Sequence, residues 1–351
     1  MMPAMHEVKV YRSGRFINEA FSFVPGITIS SDHEYFVFPG FADVHVHLRE
    51  PGFSYKETIK QGTLSGAAGG YTMLCPMPNL KPVPDSADHL EEQMKLIRRD
   101  ACIGTVPMGA ITVGEDGCAL ADLAAMAKSV SAFSDDGRGV ADAALMREAM
   151  VRAKALGKII AAHCEDMRFE PHDPKSEWSE VERDILLAKD TGAALHICHV
   201  SSAVSLELIR QAKADDIDVT CETGPHYLLL DETMRRDSGS WKMNPPLRAP
   251  SDREALLRAL CDGTIDMIAT DHAPHSEEEK SRGFSGSLNG IVGLECAFPT
   301  LYTGLVRTGI LPLERLIALM SDNPITRFGL GTVGVTPDAY AVWDLNAEYE
   351  I

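Results

Sequence analysis

The sequence lacks the features of several protein classes. No apolar stretch of about 18 residues occurs, so a membrane-spanning helix is not expected. Basic residues are scarce: 33 Lys and Arg stand against 51 Asp and Glu, a net charge of −18, which argues against a general binder of nucleic acid or anionic membranes. The eight cysteines form no C-x-x-C pair, and the N-terminus has no apolar signal-peptide run. These absences predict a cytoplasmic protein with reduced thiols.

What the sequence does contain is an alternation of short apolar runs and amphipathic stretches. Eight runs are predicted as strands: 41–48, 71–77, 102–111, 131–134, 158–162, 194–200, 218–222 and 266–270. Between them, helices are predicted at 55–68, 86–99, 120–129, 141–156, 177–191, 203–214 and 251–260. Eight strand–helix units favour an α/β fold of the (β/α)8 TIM-barrel type, spanning residues 39–329.

The two ends of the chain have a different pattern. Residues 7–11 and 21–29 read as short strands near the N-terminus, and residues 339–345 alternate like a strand near the C-terminus. We therefore expect residues 1–38 and 330–351 to form a small β module beside the barrel.

Histidine and aspartate residues fall at the ends of the predicted strands. His45 and His47 form H-V-H on the first strand, and the two-residue period of a strand points both rings to one face. Further strands end at residues of the same types, namely Asp135 and Asp136, His163, His199 and Asp271. Because functional residues of such barrels gather at the C-terminal strand ends, these side chains should share one mouth.

This set of side chains predicts a metal centre. An isolated H-x-H is weak evidence, and Asp-Asp-Gly is more often a turn than a ligand. Together, however, four imidazoles and one or two carboxylates exceed the needs of a single tetrahedral ion and suit two ions bridged by a carboxylate. Zinc is the first expectation, and manganese or cobalt would also accept these ligands. The predicted chemistry is metal-assisted hydrolysis of a carbonyl compound.

Three motifs resemble those of the cyclic amidohydrolases, and within that group the dihydroorotases of the longer bacterial type. They are G-F-A-D-V-H-V-H-L-R-E-P-G, A-A-G-G-Y-T-M-L-C-P-M-P-N and A-T-D-H-A-P-H, and the resemblance extends from about residue 38 to residue 330. Such a relationship implies zinc-dependent, reversible interconversion of dihydroorotate and N-carbamoyl-L-aspartate in pyrimidine biosynthesis.

The resemblance also implies a role for each candidate ligand. His45, His47 and Asp271 match the ligands of a first, more buried ion, and His163 and His199 match those of a second. Asp136 matches the bridging carboxylate, with Asp135 as the alternative if the register differs by one residue. Related hydantoinases usually bridge with a carboxylated lysine, and the S-A-F-S-D-D-G segment contains none.

Arg49 is the first candidate for substrate binding. It lies two residues beyond His47, so its guanidinium should face the same mouth and can hold a carboxylate through two parallel hydrogen bonds. The resemblance adds Asn79 and His275 around that carboxylate, and Asn244 and the backbone of Asn289 and Gly290 at the ring amides. Asn289 replaces the phenylalanine that is usual in the family.

By the same resemblance, Asp271 would take a proton from the attacking water and deliver it to the departing ring nitrogen. Two other functions stay open: a different cyclic amidase acting on hydantoin-like or allantoin-like rings, and a non-catalytic subunit of an aspartate transcarbamoylase assembly. A homodimer is expected, and aspartate transcarbamoylase is a possible partner. The segment between His163 and His199 is about fifteen residues shorter than is usual in this branch.

Overall fold

The computed structural model describes residues 5–24, 29–30 and 32–348. The strands are β1 Met5–Arg12, β2 Arg15–Ser22, β3 Tyr35–Pro39, β4 Phe41–Val46, β5 Tyr71–Pro76, β6 Gly104–Thr105, β7 Gly109–Ala110, β8 Phe133–Ser134, β9 Ile160–Ala162, β10 Leu195–Ile197, β11 Val219–Thr223, β12 Met267–Ile268 and β13 Tyr340–Asp344. No helix in these residues combines the length and apolar character needed to cross a bilayer.

The helices lie mostly between the strands. They are α1 Ile59–Ala68, α2 Ala87–Asp100, α3 Leu123–Met126, α4 Ala143–Ala155, α5 Lys175–Thr191, α6 Ala203–Ala214, α7 Pro225–Leu229, α8 Pro250–Asp262, α9 Glu277–Lys280, α10 Gly283–Gly286, α11 Ala297–Leu301, α12 Leu313–Ile317 and α13 Asn323–Phe328. Local sequence explains where they begin. Thr58, for example, accepts a hydrogen bond from the Gln61 backbone N–H, while the Gln61 side chain accepts one from the Thr58 N–H, which together cap α1.

The fold is a mixed α/β fold with parallel sheets. One sheet has the order β4-β5-β6, and the other has the order β12-β11-β10-β9-β8-β7. Each neighbouring pair in these two sheets is parallel. Helices α4, α5, α6 and α8 pack side by side along the second sheet. This is the arrangement expected when helical crossovers connect parallel strands.

The two parallel sheets adjoin at both of their edges. Residues 104–110 contribute to both sheets, because Met108 N–H donates to the Pro76 carbonyl at 2.9 Å while Gly109 N–H donates to the Ala132 carbonyl at 3.1 Å. At the other edge, His47 N–H donates to the His272 carbonyl at 2.8 Å. The predicted strand at 102–111 is interrupted around Pro107, whose ring nitrogen has no hydrogen to donate to a ladder.

A third sheet joins the two ends of the described chain. Its order is β13-β3-β1-β2, with β13 antiparallel to β3. The strand predicted at 21–29 overlaps β2 at its start, but β2 ends at Ser22 and residues 23, 24 and 29 are not in a strand. Residues 25–28 of this prediction lie outside the described part of the chain. Ser13 and Gly14 both have positive φ and form the tight turn that fixes this register.

Apolar side chains fill the space beneath the strand ends. Ala161 and Ala269 are buried and belong to one apolar cluster, and they stand two residues before His163 and Asp271 in the sequence. Because side chains alternate along a strand, Ala161 on β9 shares a face with His163, which follows that strand directly, and packs below it. The floor of the site is therefore apolar and closely packed.

Candidate metal centre and binding cavity

The candidate ligands lie where parallel strands end. His45 is on β4 and His47 follows it by one residue, while His163 follows β9 directly. His199 and Asp271 lie just beyond their strands, with φ of 36° and 49°, values that are uncommon for residues other than glycine. The strained backbone turns each of these side chains at the point where its strand gives way to a loop.

The Asp136 carboxylate lies at the centre of the cluster. Three imidazole nitrogens surround its Oδ1 at 3.3, 3.4 and 3.5 Å, and they belong to His45, His163 and His199. The Nε2 atom of His47 lies 3.5 Å from Oδ2. Two groups with ligand atoms within 4.8 Å of one another result, one with His45 and His47 and one with His163 and His199, and Asp136 is common to both.

The Asp271 carboxylate lies beside the group that contains His45 and His47. Its Oδ1 lies 3.0 Å from His47 Nε2 and 3.5 Å from His45 Nε2. All three side chains are buried. The structure thus brings together the six residues that the sequence predicts as ligands.

Unpaired polar atoms show that this set fits metal ions. Nε2 of His45 and Oδ1 of Asp136 are buried and have no hydrogen-bond partner among the described residues. Buried polar atoms are nearly always paired, and imidazole nitrogens with carboxylate oxygens are typical donors to zinc and similar ions. Cys198 also lies within reach of His45, in a third group completed by Glu222, and burial raises the pKa of its thiol to about 12 in the metal-free protein.

The electrostatics of the cluster favour ionised carboxylates. Burial raises the pKa of Asp136, but the surrounding imidazoles, with His45 foremost, outweigh this effect and hold the pKa well below its usual range. Asp271 is affected in the same way by burial and by His45 and His47, and its pKa is also lowered. Without a metal, the pKa of His45 is raised well above its usual value, because Asp136 and Glu222 outweigh the effect of burial. In the metal-free protein, a proton on His45 therefore supplies positive charge that a bound metal ion would otherwise supply.

Sequence reasoning missed two carboxylates that orient the ligands. Glu222, buried at β11, lies 2.6 Å from His45 Nδ1 and also accepts the backbone N–H of His199. Glu165 lies 3.1 Å from His163 Nε2. The signal for Glu222 was present, since it ends the predicted strand at 218–222. Such carboxylate–histidine contacts fix the ring orientation and raise the basicity of the ligand.

Asp135 does not join the cluster. Its carboxylate accepts the backbone N–H of Ile111 at 2.7 Å and that of Thr112 at 3.1 Å, and it also contacts the Thr112 hydroxyl. Asp135 therefore ties two strand ends together, and Asp136 alone occupies the central position.

A cavity of about 230 Å³ opens above the cluster. Of the twelve residues predicted for ligand and substrate binding, His45 alone does not line it, because it lies fully buried beneath. The other eleven are His47, Arg49, Asn79, Asp136, His163, His199, Asn244, Asp271, His275, Asn289 and Gly290. The volume suits a small ring compound.

On one side of the cavity, polar groups are held by protein contacts. Arg49, itself buried with φ of 41°, donates from Nε to the Pro274 carbonyl at 3.0 Å. Asn79 Oδ1 lies 2.9 Å from His47 Nδ1, so this asparagine also orients a candidate ligand. On the opposite side, Asn244 Nδ2 donates to Glu165 at 2.8 Å.

The backbone at Asn289 and Gly290 already has partners within the protein. The Asn289 carbonyl lies 2.7 Å from His275 Nε2, and Gly290 N–H donates to the Lys242 carbonyl at 2.9 Å. Glycine is required at 290, since φ is 152° and a Cβ would lie 2.3 Å from the Ala273 carbonyl oxygen. The asparagine at 289 uses its backbone carbonyl, so this contact does not depend on the side chain.

Comparison with curated proteins identifies close relatives of the chain. A family model described as "Dihydro-orotase-like" matches residues 35–173. The dihydroorotase of Fusobacterium nucleatum is 46% identical over 337 residues, covering 90% of this chain and 79% of that protein. The dihydroorotase of Geobacillus sp. is 49% identical over 310 residues, covering 83% and 73%. The dihydroorotase of Staphylococcus aureus is 44% identical over 348 residues, covering 93% and 82%.

Solved structures show a similar fold at lower identity. L-Hydantoinase (dihydropyrimidinase) from Arthrobacter aurescens has a TM-score of 0.78 at 24% identity, covering 94% of this chain and 83% of that chain. D-Hydantoinase (dihydropyrimidinase) from Thermus sp. has a TM-score of 0.77 at 24% identity, covering 93% and 82%. At this identity the likeness concerns the fold alone.

Proposed function

The chain belongs to the dihydroorotase family, and we propose from its site that it opens dihydroorotate to N-carbamoyl-L-aspartate and closes it again in the reverse reaction. The observation that carries this proposal is the pair of ligand groups sharing Asp136 beneath a cavity that also contains Arg49. The ligand groups can hold the metal ions that hydrolysis needs, and the Arg49 guanidinium can bind a substrate carboxylate.

We propose that two zinc ions occupy the centre. His45, His47 and Asp271 would hold the first, His163 and His199 the second, and Asp136 would contact both. When bound, such ions activate water as a nucleophile and stabilise negative charge that develops on a carbonyl oxygen. The orphaned His45 and Asp136 atoms support this assignment.

Asp271 is the group that moves the proton. Its carboxylate is ionised at neutral pH and can therefore accept a proton from the attacking water. The water oxygen bonds to the ring carbonyl carbon, the carbon–nitrogen bond breaks, and Asp271 returns the proton to the departing nitrogen. Cyclisation reverses these steps, with Asp271 taking the proton from the attacking nitrogen.

The residues around the cavity orient the substrate. Arg49 would hold the ring carboxylate, with Asn79 and His275 beside it. Asn244 and the backbone at Asn289 and Gly290 would face the ring amides. Because a carboxylate-free ring lacks the group that Arg49 binds, hydantoins should bind more weakly.

We also propose that the two parallel sheets form one closed (β/α)8 barrel over residues 39–329, with the described residues of segments 1–38 and 330–351 as a separate β module. The support is that residues 104–110 hydrogen-bond to both sheets and that His47 reaches across to His272 at the other edge. All of the proposed ligands would then lie at one mouth of the barrel.

The test is ring opening of dihydroorotate by the purified zinc-loaded chain, with a chelator-treated sample and hydantoin as competing substrate. We expect chelator-sensitive turnover of dihydroorotate and little turnover of hydantoin. Faster turnover of hydantoin would favour another cyclic amidase. Two bound zinc ions per chain without turnover, even with aspartate transcarbamoylase added, would favour a non-catalytic subunit.

Adjacent carboxylates supply a matched pair of variants. Asp136→Asn should lose zinc and turnover together, because it removes the carboxylate shared by both ligand groups. Asp135→Asn should keep its zinc and lose thermal stability instead, because its carboxylate binds only backbone and a hydroxyl. Equal zinc loss in both variants would contradict the assignment.

A further inference from the structure

A cluster of charged side chains surrounds His275 on the Arg49 side of the cavity. We call the group of Lys56, His275 and Glu279 the His275 cluster. Lys56 Nζ lies 3.1 Å from His275 Nδ1 and 3.3 Å from Glu279 Oε1, and its side chain is only 10% exposed. A lysine usually extends its ammonium into water, so this buried orientation towards a histidine ring needs an explanation.

The contacts of His275 fix the position of its proton. Its Nε2 atom lies 2.7 Å from the Asn289 carbonyl oxygen, which can only accept, and 3.4 Å from Arg49 Nη2, which can only donate, so the shorter contact assigns the hydrogen to Nε2. Burial, together with the positive charges of Arg49 and Lys56, lowers the pKa of His275 to about 4, so the ring is neutral near pH 7. In a neutral ring protonated at Nε2, Nδ1 has a free lone pair.

Lys56 is the neighbour that matches this lone pair. Two side chains approach Nδ1: the Lys56 ammonium at 3.1 Å and the Glu279 carboxylate at 3.2 Å. The ammonium can donate to the lone pair, whereas the carboxylate can only accept. Glu279 is held separately, because it accepts from Lys56 and Tyr55 and from the backbone N–H of Ser276. Lys56 thus selects the tautomer of His275, and Glu279 holds the lysine.

We propose that Lys56 is a positioning residue for the substrate carboxylate. It holds the His275 ring with its Nε2–H on the Asn289 carbonyl beside Arg49, and it adds a second positive charge near the guanidinium. This inference rests on the proposed function, because it places the carboxylate of dihydroorotate against Arg49 and His275. The consequence is selectivity for rings that carry a carboxylate over rings that lack one.

A purely structural role for Lys56 makes a different prediction. In that case, Lys56 would serve only to tie the loop after β4 to α9 through its ion pair with Glu279, and breaking the tie from either side would have the same effect. If Lys56 acts on the substrate carboxylate, removing Lys56 and removing the charge of Glu279 have opposite effects on substrate affinity. Removing Lys56 weakens binding, whereas removing the negative charge of Glu279 leaves binding unchanged or strengthens it.

The experiment compares Lys56→Met, Lys56→Arg and Glu279→Gln in the zinc-loaded protein. Both KM from turnover and Kd from titration are measured for dihydroorotate, with dihydrouracil as the same ring without the carboxylate. Lys60→Met is the matched control, because Lys60 is exposed on α1 outside the cluster. We expect Lys56→Met to raise KM and Kd for dihydroorotate about 5–10-fold, the size of one lost interaction between partly solvated charges, with a smaller change in kcat.

The other arms decide between the two roles. Lys56→Arg should recover most of the affinity, Glu279→Gln should not raise KM, and dihydrouracil binding should be the same in all variants. A rise in KM in both Lys56→Met and Glu279→Gln, or a loss confined to kcat, would overturn the proposal. If Lys56→Met does not fold, the sign of the Glu279→Gln effect still decides.

Failure of the proposed function can be recognised separately. If the wild-type protein binds dihydroorotate without turning it over, catalysis is refuted while the same comparison of Kd values still tests Lys56. If the wild-type protein neither binds nor turns over dihydroorotate, the assignment of the carboxylate to the His275 cluster is refuted as well.

Discussion

Replacing Glu222 by Gln should weaken metal binding without unfolding the protein. For His45 Nε2 to face an ion, Nδ1 must carry the proton and donate it to Glu222 at 2.6 Å. Burial raises the pKa of Glu222, but His45 and His196 outweigh burial and lower it, so the carboxylate is ionised. Glutamine keeps the shape and an acceptor oxygen, but it removes the negative charge that makes the imidazole a stronger ligand.

The magnitude follows from the kind of contact that is lost. Removing a group that orients a metal ligand typically costs about 10–100-fold in metal affinity, or about 1.4–2.7 kcal/mol. We expect this loss for the ion at His45, because Glu222 contacts that ring directly and reaches His199 only through its backbone. The ion held by His163 and His199 should be affected less.

The assay is zinc competition against a chromophoric chelator at fixed pH, with zinc content and kcat measured on the same samples. Asp231→Asn is the matched control, since Asp231 is also a buried carboxylate but contacts Arg253 and Thr233 instead of a ligand. Zinc affinity within twofold of wild type in Glu222→Gln, or an equal loss in Asp231→Asn, would refute the reasoning.

Three further predictions concern the proton shuttle, the metal-free ligands and the packing of the third sheet, which contains β13, β3, β1 and β2. Asp271→Asn should lower kcat about 10²–10⁴-fold while some zinc remains bound, and an undiminished kcat would exclude Asp271 as the shuttle. Burial lowers the pKa of His163, but hydrogen bonds to neighbouring carboxylates outweigh it and raise the pKa to about 10 in the metal-free protein. Zinc added at pH 8 should therefore displace protons, detectable with a pH indicator in weak buffer, and this release should diminish above pH 10. Phe298 is fully buried, and its ring centroid lies 5.4 Å from that of Phe38 and 4.6 Å from that of Trp343. Phe298→Ala should therefore lower the free energy of unfolding, measured with urea, by about 3–5 kcal/mol. A loss of unfolding free energy below about 1 kcal/mol would show that these aromatic contacts do not stabilise the third sheet.

The positions of the strands and of the candidate ligands could be predicted because both follow from short periods in the sequence. Each of the eight predicted strands overlaps at least one observed strand, and the ligand candidates stand at or just beyond the strand ends. Glu222 was missed although the same rule applies to it. Nothing in a single sequence distinguishes a carboxylate that binds a metal from one that supports a ligand, since both need burial beside a histidine.

Contacts between distant loops could not be predicted in this way. Lys56 and His275 are separated by 219 positions, and their 3.1 Å contact depends on how the loop after β4 folds against α9. The positive φ of Arg49 and Asp271 is another consequence of the assembled fold. Local preference alone disfavours this backbone conformation for both residues, so only the surrounding packing imposes it.

The neighbouring residues Asp135 and Asp136 show how the segment after one strand assigns different roles to the same chemistry. β8 ends at Ser134, so both aspartates lie beyond the strand, and Asp136 begins the turn that follows. Asp136 reaches the imidazoles, while Asp135 binds backbone N–H groups beyond β7. The environments differ as well: burial raises the pKa of Asp135 to about 6, whereas the imidazoles hold that of Asp136 well below its usual range. Neither the residue type nor the local sequence separates the two carboxylates, and the path of the chain just after β8 is what makes one of them available to a metal.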